Sequence, residues 1–156
     1  MDNYYDLILN KLRAHHRSLL TNYGKLYPVR MDFAYHDDAY QRQYGIDAYM
    51  DMLNLSDLTL LSNHILSIVW VMAFNKQYGF YFPTMLYFSS EQYANYNVIM
   101  NSVTNLWKNE TDGYGINVEK KLTKNALSEL AQLSWKKHDP LHALYINSIH
   151  TLNQIN

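Results

Sequence analysis

Apolar positions follow two different periods along this chain, and the places where the period changes divide it into elements. The most apolar stretch is Ile65–Phe88. It contains two runs, Leu66–Phe74 and Tyr78–Phe88, separated by the polar triplet Asn75-Lys76-Gln77. Both runs are rich in the β-branched and aromatic residues that suit a pleated, half-buried surface, so they predict a central antiparallel hairpin. The flanking pattern is helical. Tyr4, Leu7, Ile8, Leu12 and Leu19 recur at helical intervals and predict an N-terminal helix over 4–22. Ile46, Tyr49, Met50, Leu53, Leu58 and Leu61 predict a second helix, interrupted around Asn54–Asp57. A third carries Tyr93, Tyr96, Ile99, Met100, Val103 and Trp107, with Ser90 as its N-cap.

The remaining elements are shorter. Lys25–Tyr35 alternates, with Val29, Met31 and Phe33 on one face and Arg30, Asp32 and Ala34 on the other. Tyr114–Val118 predicts a further strand after the Thr111-Asp112-Gly113 stop. Thr123–Trp135 predicts a helix with Thr123 as its cap, and Leu144, Tyr145, Ile149 and Leu152 predict a C-terminal helical segment over 141–155. The order predicts a single α+β domain over 1–156. Its antiparallel sheet has helices packed mainly on one face, and its centre is the β-α-β-β-α-β unit of ferredoxin-like and RRM-like folds.

Composition narrows the function classes. Hydrophobic residues are 48% and charged residues 17%, which belongs to a folded domain. With 13 basic and 14 acidic residues, the net charge of −1 lacks the excess that phosphate neutralisation demands of a free-standing nucleic-acid binder. Tyrosine is abundant, 15 against 5 Phe, and its apolar body with a polar tip suits binding surfaces. There is no cysteine, hence no disulfide, thiolate metal site or cysteine nucleophile. No apolar run is long enough to span a membrane. A cytoplasmic protein is expected.

Few residues suggest chemistry. His36-Asp37-Asp38 is the densest ligand cluster, but it falls in an expected polar loop without a spaced partner. His15-His16 occupy adjacent helical positions that face different ways, and Pro140 separates His138 from His142. No phosphate loop, HExxH or GxSxG motif occurs. Lys120, Lys121, Lys124, Lys136 and Lys137 cluster late in the chain, either as a solvated face or as phosphate contacts with Trp107 or Trp135 beside them for stacking.

Several segments in order resemble one family. Val29-Arg-Met-Asp-Phe33, Val69-Trp-Val-Met-Ala73, Gly79-Phe-Tyr-Phe-Pro-Thr-Met-Leu-Tyr-Phe88, Trp107-Lys108 with Gly113-Tyr-Gly115, and Leu133-Ser-Trp-Lys-Lys137 are similar to the rolling-circle replication initiators of filamentous phages and their prophage relatives, within the HUH endonuclease superfamily. That resemblance covers about residues 25–140. It implies a metal held by two histidines and an acid, and a tyrosine that attacks the scissile phosphate. Here Tyr81 and Pro83 stand at the histidine positions, Ala73 at the acidic one and Leu133 at the tyrosine, while Lys136 keeps its spacing. The resemblance therefore implies a pseudoenzyme with neither metal nor cofactor.

Three functional expectations follow. The first is a non-catalytic phage or mobile-element protein in a bacterial host that acts by binding another protein, for instance as an anti-CRISPR-like inhibitor of host defence. The second is single-stranded nucleic acid on a face bearing Tyr81, Pro83, Met85 and Tyr87, with Lys136 and Lys137 on phosphates. In the opposite case the C-terminal segment covers that face and its aromatics are core. The third, an active nickase with ligands displaced to His36, Asp37 and Asp38, requires the most departures from the family pattern.

Overall fold

The computed structural model describes residues 4–36, 44–62, 64–76, 79–134 and 144–149. The chain order is α1 (Tyr4–Tyr23), β1 (Tyr27–Tyr35), α2 (Gly45–Leu61), β2 (Ser67–Val71), β3 (Ala73–Asn75), β4 (Gly79–Phe88), α3 (Ser90–Ala94), α4 (Tyr96–Glu110), β5 (Gly115–Lys120), α5 (Ala126–Leu133) and β6 (Leu144–Ser148). The expected hairpin forms. Trp70 faces Thr84 and Ala73 faces Tyr81, so β2 and β3 run along β4 in one register on either side of Met72. Gln77 and Tyr78 lie outside the described residues.

The class is α+β with an antiparallel sheet, in the spatial order β5-β1-β4-β2-β6, with β3 beside the end of β4. Within it, β1-α2-β2-β4-α4-β5 is the ferredoxin-like unit. Alternation along the strands builds two cores. Val29, Met31, Phe33, Ile68, Trp70, Phe82, Leu86 and Phe88 meet Met52 and Leu55 of α2 and Val103 and Trp107 of α4. On the opposite face Val69, Val71, Met85 and Tyr87 meet Ile8, Leu9 and Leu12 of α1 and Leu130 and Ala131 of α5. Helices thus cover one face through α2 and α4, and part of the other through α1 and α5.

Five local expectations are corrected. Leu144–Ser148 is a strand rather than part of a helix: it pairs with β2, Leu144 and Ile146 pack on the second core, and Tyr145 stacks on Trp70 at 5.2 Å. Leu144, Tyr145 and Ile149 suit either period, and the free edge of β2 decides. Ser89, not Ser90, caps α3. Its extended backbone allows a capping box, with Gln92 N–H donating to Ser89 Oγ and Ser89 N–H to Gln92 Oε1. The expected third helix breaks at Asn95, whereas α2 runs unbroken through Asn54–Asp57. Finally, α5 starts at Ala126, because the Thr123 hydroxyl donates to Glu129 and accepts from Asn125 N–H ahead of the helix.

Candidate functional site

On the second sheet face, α1 and α5 leave the side toward β5 to a groove of about 360 Å³. Asp32, Ala34, Asn75, Tyr81, Ile116, Val118 and Lys120 line it. The strands place them by alternation: Asp32 pairs across with Pro83 on one side and Val118 on the other, Ala34 with Ile116, and Tyr81 with Ala73. Its lining mixes the apolar Ala34, Ile116 and Val118 with the polar Asp32, Asn75, Tyr81 and Lys120, the usual composition of a ligand site.

Charge in the groove is organised by Arg30, which is buried on a strand where the alternation points it toward this face. Its guanidinium donates to Asp32 Oδ1 at 2.8 Å, to the Met31 carbonyl at 3.1 Å and to the Thr84 carbonyl at 3.3 Å. The residue before Thr84 on β4, Pro83, has no N–H to offer a neighbouring strand. Lys120 Nζ approaches the other Asp32 oxygen at 3.9 Å, with Lys120 51% and Asp32 16% exposed. Burial, and then the Asp32 charge, push the Tyr81 hydroxyl above its usual range while Arg30 opposes them, so Tyr81 presents a neutral O–H.

Three of the four positions aligned with the initiator chemistry, Ala73, Tyr81 and Pro83, therefore share this face with Asp32. Leu133 ends α5 and is 38% exposed. None of the four side chains is a strong ligand for a hard cation. Among the described residues no group of three or more His, Asp or Glu could hold a metal ion. Asp37, Asp38, His138 and His142 lie outside them.

Two binding candidates are corrected. Tyr87 is buried beneath α1 and its hydroxyl meets His16 Nδ1 at 3.0 Å. Trp107 is fully buried in the first core, where its Nε1–H is shared between the carbonyls of Ala34 (3.1 Å) and Ile116 (3.0 Å). The Gly-x-Gly turn serves the same packing. Gly113 has φ +87°, and a Cβ on Gly115 would come within 2.6 Å of Trp107 Nε1 and Thr111 Oγ1. Lys120, Lys121 and Lys124 are exposed as expected, and Trp135, Lys136 and Lys137 lie outside the described residues.

The sequence reading missed a polar seam under α1. Ser67 Oγ donates to the Asn147 carbonyl at 2.5 Å and so accepts from His15 Nε2 at 2.6 Å. His15 and His16 do not face different ways; both rings lie against Tyr87, at 6.3 and 5.5 Å. Burial, and then His16, lower the His15 pKa to about 4. The available signal was Ser67, a hydroxyl inside an otherwise apolar strand.

Comparison with protein-family models, curated proteins and solved structures finds no match to this chain. No helix among the described residues is long and apolar enough to cross a membrane.

Proposed function

We propose that this chain is a non-catalytic binding protein whose partner is another protein, engaged on the groove face around Tyr81. One observation carries the reading. On the face where an initiator would cut DNA, Met85 and Tyr87 lie buried under α1, leaving Tyr81 half-buried beside a carboxylate. Stacking successive bases needs several presented rings and free cations. Here the described face presents one ring, and Arg30 is committed to Asp32. A rigid tyrosine in a groove that mixes apolar and polar walls is instead the usual anchor of a protein interface. A phage or mobile-element setting, with host defence as the target, is the biological form of this proposal that the family resemblance suggests.

The nucleic-acid reading keeps one observation in its favour, the three exposed lysines at 120, 121 and 124. Titrating the purified protein with labelled oligothymidylate across a salt series separates the two. Protein binding predicts at most weak association, no nicking, and capture of the same partner from nuclease-treated and untreated host lysate, lost with Tyr81→Ala. Tight binding that falls linearly in log K with log salt and disappears with Lys120→Ala, Lys121→Ala and Lys124→Ala would overturn it.

A further inference from the structure

We infer that the outer edge of β5 receives an extended, acidic segment of the partner protein as an added strand, an inference that rests on the protein-binding reading. β5 ends the sheet beyond β1 among the described residues. His36 N–H donates to the Tyr114 carbonyl at 2.9 Å, which sets the phase of the β1–β5 ladder. Antiparallel pairing then points the backbone groups of Ile116, Val118 and Lys120 at β1, and those of Gly115, Asn117 and Glu119 outward. The outward Gly115 N–H is taken by Thr111 Oγ1 at 2.7 Å. Beyond it the backbone groups of Asn117 and Glu119 face no described strand, the arrangement that an added strand completes.

The side chains of this edge select the occupant. Ile116 and Val118, the latter 48% exposed, face the groove and offer apolar contact to alternate residues of an incoming strand. The two nearby carboxylates are already engaged, Asp32 by Arg30 and Glu119 by the Tyr96 hydroxyl. Lys121 and Lys124 are exposed with no described carboxylate paired to them, and Lys120 only skirts Asp32. Edge lysines discourage indiscriminate strand pairing. A second copy of this edge brings the same three lysines while its own Asp32 and Glu119 are already engaged, whereas an acidic segment answers all three.

Amide hydrogen exchange on the full chain tests this residue by residue. The probe is a peptide of about ten residues, with valine and isoleucine alternating with threonine and three glutamates at one end. The control carries three lysines there instead. The acidic peptide should protect the Asn117 and Glu119 amides and the control should not. Lys120→Glu with Lys121→Glu and Lys124→Glu should weaken the acidic peptide about tenfold. These side chains are exposed, so folding should survive. Protection of both amides by the protein alone at rising concentration would assign the edge to a second copy and overturn the proposal. So would protection by oligothymidylate, which would also count against the protein-binding reading. If neither peptide protects these amides while Tyr81→Ala still loses the captured partner, the edge proposal falls and that reading stands.

Discussion

The two faces of the sheet are built to different rules. The face under α2 and α4 is apolar with an aromatic centre: Phe33, Trp70, Phe82 and Trp107 meet edge-on at 5.2 to 6.4 Å. Its polar groups there are few and satisfied, as where Trp70 Nε1 donates to Ser56 Oγ and Ser56 to the Met52 carbonyl. The other face is divided. α1 and α5 close one part over His15, Ser67 and Tyr87, and the rest is the groove with Asp32, held by the buried Arg30, in its wall. Burying polar groups gains little stability compared with packing apolar ones. A face that keeps them beside a groove is where binding is to be sought.

The largest effect should come from the first face. Trp107→Ala removes a fully buried ring and the donor shared by two carbonyls, and should cost about 4 kcal/mol in urea denaturation. On the second face, Asp32→Ala leaves the buried Arg30 with carbonyl partners alone and should cost about 3 kcal/mol. Pairing it with Arg30→Met should restore much of that loss, because the penalty is an unpaired charge rather than lost packing. A double variant no more stable than Asp32→Ala would make the two faces alike in kind.

Acid should separate the faces next. His15 titrates near 6.5 in the unfolded chain and near 4 when folded, because burial and then His16 disfavour its charge; burial lowers His16 as well. Between those values the unfolded state holds more protons, so stability falls as pH drops from about 7 toward 4. Allowing for the ring's partial exposure, His15 contributes about 1 kcal/mol of that fall. His15→Gln, which can still donate to Ser67, should flatten the thermal-denaturation profile in this window. An unchanged slope would mean that the seam does not resist protonation.

The first face was legible in the sequence and the second was not, for a physical reason. Alternation in Val29–Phe33 and spacing in Ile99–Trp107 follow directly from burying one stripe against one sheet. The second face combines a half-covered sheet with polar contacts between α1, β2, β4 and β6. Nothing local to Tyr87 says that a helix more than sixty residues earlier will cover it. The same holds for Leu144–Ser148, whose strand exists because β2 offers it an edge. Tyr81 was legible as a candidate because alternation alone assigns it to the groove side, and Lys120 because it belongs to a run of late lysines, although the strand was expected to stop at Val118. Trp107 and the Gly-x-Gly turn were part of the resemblance but serve packing here, so they say nothing about chemistry.

The smallest stability effect is the sharpest test of the division. Tyr81 is half-buried, and no described hydrogen bond holds its hydroxyl. Tyr81→Ala removes part of a groove wall and opens no closed cavity, so its cost should be below about 1 kcal/mol, far less than Trp107→Ala. Partner binding should respond in the opposite order, because a rigid aromatic anchor at the centre of an interface can carry about 2 kcal/mol or more. Tyr81→Phe decides what the residue contributes: retained affinity assigns the anchor to the ring, and lost affinity assigns it to the hydroxyl beside Asp32. Urea denaturation and partner titration of the same preparations should rank these two variants differently. If Tyr81→Ala unfolds the chain as readily as Trp107→Ala, the groove is structural and the second face has no separate task.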